Sequence, residues 1–188
     1  MDKKYQVFIS STFEDLKEER LKVQEAILDM GCIPSCMEYF PAGDKKQFEY
    51  IKNQIDMSDY MIIISANAYG SIADDGKSYT EKEYWYAKEK GIPIIAFLNN
   101  VFSGEDCPEK VKLLEDFRNE LKDSRIVKFW SNPEELKSQV LGGLYYIFNE
   151  EPRTGWVRAG ISDEYVVPRF FFSKEEPKNP CEGDVWIG

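Results

Sequence analysis

The chain has 188 residues, about the size of one domain, with 24 Lys plus Arg against 34 Asp plus Glu and a formal charge of −10. Hydrophobic residues at 43% and aromatics at 14% suffice for a packed core, which excludes a disordered tail. Histidine is absent, so Ser-His-Asp and Cys-His catalysis, His-ligated zinc and histidine general bases are excluded; any proton chemistry must run on carboxylates, Tyr, Lys or Cys.

The acidic balance argues against a nucleic-acid partner, which calls for a basic face. The apolar runs at 60–64 and 92–98 fall far short of the ~20 residues that span a bilayer, so no membrane partner is expected. The start, Met1-Asp2-Lys3-Lys4-Tyr5, lacks a signal-peptide apolar region, and Cys32, Cys36, Cys107 and Cys181 are too scattered for a disulfide scaffold; the expectation is a cytoplasmic protein. Cys32 and Cys36 read either as half a metal site or as two buried small hydrophobes. With no second pair at suitable spacing, the expectation is buried thiols and no metal.

In chain order, 5–9 reads as a strand, followed by a helix from Thr12 to about Met30 whose stripe is Leu16, Val23, Ile27 and Met30. Ser11-x-x-Glu14 and Thr12-x-x-Asp15 both resemble capping boxes, and Gly31 ends the helix. Residues 33–40 suggest a second strand, closed by Pro41-Ala42-Gly43-Asp44, and Phe48, Ile51 and Ile55 mark a short helix. The run 60–64 is a strand buried on both faces. A loop over 65–78, a helix over about 80–90 stopped by Gly91, and a strand over 92–98 come next. Pro108 opens a helix with stripe Val111, Leu114, Phe117 and Leu121; 125–130 is a fifth strand; Asn132-Pro133 caps a last helix with stripe Leu136, Val140, Leu144 and Ile147.

Five strands alternating with five helices predict an α/β fold over residues 1–150, a flavodoxin-like doubly wound parallel sheet of order 2-1-3-4-5. Residues 151–188, with Pro152, Pro168, Pro177, Pro180 and the cluster Phe170-Phe171-Phe172, read as an extended tail that packs on the domain or starts a second module.

In such a sheet ligands bind where strand order reverses, beside the turns after strands one and three. The first turn, Ser10-Ser11-Thr12-Phe13, brings three hydroxyls and an aromatic to a predicted helix N-terminus, where they either cap the helix or receive an anion such as a phosphate. No Gly-x-Gly-x-x-Gly or P-loop is present, which weighs against a Rossmann dehydrogenase or a nucleoside triphosphatase. After strand three come Tyr69-Gly70 and then Thr80-Glu81-Lys82-Glu83. Glu83 is placed where a ribose or a developing cation would meet it, or else closes a capping box with Thr80. Phe13, Tyr69 and Trp85 are stacking platforms or plain packing residues, and Arg20, beside Glu19, reads as an ion-pair partner.

Val7-Phe8-Ile9-Ser10-Ser11-Thr12-Phe13-x-Asp15-x-x-x-Glu19-Arg20 resembles the opening of a TIR-like domain-of-unknown-function family whose members often precede large signalling NTPases. Tyr69-Gly70-Ser71 with Tyr79-Thr80-Glu81-x-Glu83-Tyr84-x-x-Ala87-x-x-x-Gly91-Ile92-Pro93 is similar to the same family, and the two segments anchor about residues 4–150. The resemblance implies that NAD+ is a substrate rather than a cofactor. TIR enzymes split its nicotinamide–ribose bond with a glutamate on the helix after strand three, which points to Glu83, with Glu81 two residues away as the fallback. The same segment is similar to the glutamate segment of nucleoside deoxyribosyltransferases.

On this reading the diphosphate would meet Ser10, Ser11 and Thr12, and Phe13, Tyr69, Gly70 and Glu81 would line the remainder of the site. The resemblance further implies an immune or antiviral defence role and homo-oligomerisation on activation; the shortness of the chain suggests a separately encoded effector or sensor as a partner. The loop 41–47 is either an interface or an ordinary surface loop. Two other functions stay open: a non-catalytic module that recruits a signalling partner, and a nucleoside deoxyribosyltransferase-like enzyme for which Asp15 is the one further carboxylate near strand one.

Overall fold

Strand β1 (Gln6–Ser10) leads into helix α1 (Lys17–Asp29), β2 (Ile33–Ser35), α2 (Lys46–Asp56), β3 (Tyr60–Ser65), α3 (Tyr79–Glu89), β4 (Ile94–Asn99), α4 (Pro108–Lys122), β5 (Ile126–Trp130) and α5 (Pro133–Glu150). The computed structural model describes residues 3–36, 46–101, 107–158, 170–172 and 185–187. The five strands form one parallel sheet of order β2-β1-β3-β4-β5, as the alternation of strands and helices predicts.

Burial on both faces explains the near-continuous apolar runs. Val7 and Ile9, Ile62 and Ile64, and Ile95 and Phe97 point to one side, where they pack with Val23 and Ile27 of α1 and Leu144 and Ile147 of α5. Their alternates, Phe8, Met61, Ile63, Ala96 and Leu98, point to the other side, against Ile51 and Ile55 of α2, Tyr84 and Ala87 of α3, and Leu114 and Phe117 of α4. The same period of two sets the direction of the strand ends. Ser10 continues the Phe8 side of β1 and Ser65 the Ile63 side of β3, so both lie on the face that α3 covers.

Three local expectations need correction. Helix α1 begins at Lys17 and not at Thr12, and Leu16 stands at its cap position without a side-chain hydrogen bond, so neither proposed box at Ser11 or Thr12 forms. The Ser11 hydroxyl instead donates to the Thr12 carbonyl at 2.7 Å and accepts from Arg20, which spends it on the turn. Helix α3 is capped by Ser78, whose Oγ accepts from the Glu81 N–H at 3.2 Å, so the box predicted for Thr80 and Glu83 does not form either. The strand expected over 92–98 begins at Ile94, while β2 covers Ile33–Ser35 and ends before Cys36; residues 37–45, which hold the remainder of that predicted strand and the turn after it, lie outside the described residues.

Asn132 does cap α5, its Oδ1 accepting from the Glu135 N–H at 2.9 Å with Pro133 in the first turn. Cys32 and Cys36 are buried thiols, not joined in a disulfide. Past α5 the chain returns to the sheet: Lys4 and Trp156 exchange both backbone hydrogen bonds, and the Gly155 N–H donates to Asp59 at 2.9 Å. This unit spans Lys3–Trp156. A second unit comprises Met1–Asp2 and Val157–Gly188; in it, strands β6 (Phe170–Phe172) and β7 (Val185–Ile187) pair in parallel, with Phe171 opposite Trp186.

Candidate active site at the carboxyl ends of β1 and β3

Strand β1 is extended to one side by β2 and to the other by β3, so the order reverses there and the turns after β1 and β3 face each other. Ser10 ends β1 opposite Ile63 of β3. Its Oγ donates to Glu83 Oε2 at 2.5 Å, and both side chains are almost withdrawn from water, Ser10 at 1% exposure and Glu83 at 3%. Glu83 lies in the second turn of α3 on its sheet-facing side with Thr80, Tyr84 and Ala87, which is why it reaches the strand end instead of the helix cap. Burial pushes its carboxyl up to about 7, against the opposing pull of the Ser10 hydrogen bond and the Arg20 charge.

Arg20, in the first turns of α1, is itself 3% exposed, and its Nη1 donates to Ser11 Oγ at 2.6 Å. Ser10, Ser11, Arg20 and Glu83 therefore form one cluster.

A second cluster surrounds Glu81. Its carboxylate accepts from the Tyr69 hydroxyl at 2.6 Å, from Lys77 Nζ at 2.5 Å and from Trp85 Nε1 at 3.1 Å. Burial raises its carboxyl, but those three donors outweigh it and hold Glu81 below the ordinary range. Tyr69 is 2% exposed and also accepts from the Ser78 N–H at 3.2 Å, so it pins the loop between β3 and α3 onto the helix start.

Thr12 and Gly70 bring the two turns together. Gly70 has φ +91°, and a Cβ built on it would lie 2.9 Å from Thr12 Cγ2. Only glycine serves where backbone of that hand approaches a neighbouring methyl so closely. The Thr12 and Ser65 hydroxyls, both buried, have no hydrogen-bond partner among the described residues. Phe13 does not join either cluster: it is 49% exposed with Lys17 Nζ 5.2 Å above its ring. The late start of α1 also removes the helix N-terminus from Ser10, Ser11 and Thr12, and with it the dipole argument for an anion there.

Arg118 of α4 is a site neighbour that sequence reasoning misses. Its guanidinium donates to the Ser65 and Ala66 carbonyls at 3.0 and 3.1 Å and to the Asn99 carbonyl at 2.7 Å, tying together the ends of β3 and β4 beside the site. A lone arginine in an amphipathic helix gives no signal for such a role. The Ser78 cap, by contrast, is visible as Ser78-x-x-Glu81, overshadowed by the neighbouring Thr80 and Glu83.

Among the described residues no group of three or more Cys, Asp or Glu is arranged to hold a metal ion, and no helix is long and apolar enough to cross a membrane. The model of one family, described as Domain of unknown function (DUF4062), matches residues 6–144. No curated protein matches the chain. Among solved structures it is similar to the TIR domains of the activated Roq1 resistosome directly recognizing the pathogen effector XopQ, with TM-score 0.53 and 11% identity over 74% of this chain and 99% of that one. A prokaryotic SEFIR domain is similar with TM-score 0.50 and 21% identity over 82% and 99% of the two chains. A Clostridium botulinum CMP N-glycosidase, BcmB, fits more loosely, at TM-score 0.46 and 16% identity over 74% and 98%. At these identities the likeness is one of fold: a TIR-like, flavodoxin-like doubly wound sheet.

Proposed function

The chain belongs to the family Domain of unknown function (DUF4062), and we propose that it is a TIR-like enzyme that cleaves NAD+ at the nicotinamide–ribose bond, with Glu83 as its working carboxylate. One observation carries this reading. At the reversal of strand order, Glu83 has one carboxylate oxygen held by Ser10, while the other accepts no hydrogen bond from any described residue. A buried carboxyl with a raised pKa at that place in the fold is a functional-site signature.

The chemistry suits a chain without histidine. Nicotinamide leaves a pyridinium as a neutral molecule, so the C1′–N bond breaks without a general acid; a water molecule, or a nucleophilic atom of the same substrate in a cyclisation, then bonds to C1′ and gives up its proton to solvent. The site must supply an anion that holds ribose hydroxyls and stabilises oxocarbenium character at C1′. Ser10 fixes the direction of the Glu83 carboxylate, and burial strengthens its interaction with a developing cation. The ionised form does the work, so turnover rises with pH through about 7. Glu81, committed to Tyr69, Lys77 and Trp85, supports the loop instead. A defence-signalling role in the cytoplasm, self-assembly on activation and a separately encoded sensor or effector are parts of this proposal.

A second reading is favoured by the depth of Glu83. At 3% exposure and bonded to Ser10, it also serves as a buried polar tie in a non-catalytic interaction module. The nucleoside deoxyribosyltransferase-like alternative has less support, because Asp15, its further carboxylate, is exposed past the β1 turn.

The deciding experiment measures NAD+ loss at high protein concentration, with crowding agent, for the wild type, Glu83→Gln and Glu81→Gln. Turnover lost in E83Q with folding retained supports the enzyme. Turnover lost only in E81Q transfers the role to Glu81. A folded wild type with no turnover, tested also on free nucleosides, favours the interaction module.

A further inference from the structure

Helix α1 carries a buried cation where its pattern calls for an apolar residue. Its sheet-facing stripe consists of Arg20, Val23, Ala26 and Ile27, and Arg20 is as inaccessible as Glu83. Withdrawing a guanidinium from water is costly unless charge and hydrogen bonds compensate, so a residue that merely fills space would not be an arginine. Arg20 Nη1 donates to Ser11 Oγ at 2.6 Å, and that oxygen donates in turn to the Thr12 carbonyl at 2.7 Å. The turn after β1 is thereby held from α1, next to the strand-ending serine that is bonded to Glu83.

We propose that Arg20 is the positioning residue of this site: by gripping Ser11 it holds the β1 turn so that Ser10 stays on Glu83 Oε2, and its buried charge favours the ionised carboxylate from a distance. The proposal rests on the reading of Glu83 as the working carboxylate. Glu83 faces Ser10 from β1 and Arg20 from α1; on its own helix Glu81 is turned toward Tyr69, Lys77 and Trp85; no other described charge acts on it. Burial alone would leave Glu83 protonated further into the alkaline range, and Arg20 opposes this. Ionisation of Glu83 near neutral pH and the direction of its carboxylate thus rest first on Ser10, and on Arg20 through its charge and through its hold on the turn beside Ser10.

The test tracks the Glu83 carboxyl by carbon NMR of the full chain across pH in wild type, Arg20→Met and Arg20→Lys, with NAD+ turnover measured in parallel. The wild-type midpoint is expected near 7, R20M about one unit higher, and R20K close to wild type. Turnover by R20M should fall about fivefold at pH 7, the drop in ionised fraction for a one-unit shift, and recover by pH 9. A folded R20M with an unmoved Glu83 midpoint overturns the proposal. Should R20M fail to fold, Ser11→Ala carries the decision: a raised midpoint supports the grip, and an unchanged one overturns it. Absence of turnover in the wild type defeats the enzymatic reading alone, since the titration still decides the role of Arg20.

Discussion

Ser10 and Glu83 meet across 73 residues of chain, the serine hydroxyl donating to Oε2 at 2.5 Å where both side chains are almost out of water. The contact joins the end of β1 to the second turn of α3. It places a carboxylate in surroundings that favour its neutral form, next to two groups that favour its charge.

That conflict is measurable as stability. The folded-state pKa of about 7 exceeds the ordinary value of 4.5, so between these values the native chain holds more of this proton than the unfolded chain. The stabilising contribution is complete below about 4.5 and is lost as pH rises through about 7. Glu83→Gln removes the titration. Unfolding by urea at pH 5 and pH 8 should therefore show E83Q gaining on the wild type by roughly 2–3 kcal/mol between the two. A gap that is flat with pH would mean that Glu83 ionises normally.

Gly70→Ala tests the closeness of the two turns. The new methyl meets Thr12 Cγ2 at 2.9 Å on a backbone of φ +91°, and the expected loss is about 1–3 kcal/mol by urea denaturation. Thr12→Ser deletes that methyl, so adding it to G70A should restore part of the loss and leave the strain from φ. Simple additivity of the two changes would place Thr12 away from Gly70.

The start of α3 is tested by Ser78→Ala beside Thr80→Val. Removing the Ser78 hydroxyl deprives the Glu81 N–H of its acceptor and should cost about 1 kcal/mol. T80V keeps the buried shape at position 80 and should cost less, because no cap is lost. The reverse ranking in thermal unfolding would restore Thr80 as the cap.

Much of the architecture is legible from periodicity. Buried strands announce themselves as unbroken apolar runs, 60–64 and 94–98, since both faces are covered, and Asn132-Pro133 marks a helix start by local chemistry alone. The caps of α1 and α3 escape the same reading for a shared reason. Ser and Thr offer the same hydroxyl wherever they occur, and three candidates within a few residues look alike until other partners claim them. Arg20 claims Ser11, and the Ser78 hydroxyl takes the cap through Glu81.

Glu83 can be singled out in the sequence as the carboxylate beside the crevice, but not its environment. A glutamate's spacing along a helix tells which side it occupies, whereas its pKa depends on how much water the surrounding elements exclude and on which charges they bring near. Ser10 comes from β1, Arg20 from α1, and the cover from the packing of α3 on the sheet. Local pattern determined the strands, the helices and their order, because each is set by neighbours a few residues away. Only the tertiary structure decided that a serine, an arginine and a glutamate up to 73 residues apart share one dry interior, because exclusion of water is a property of the packed whole.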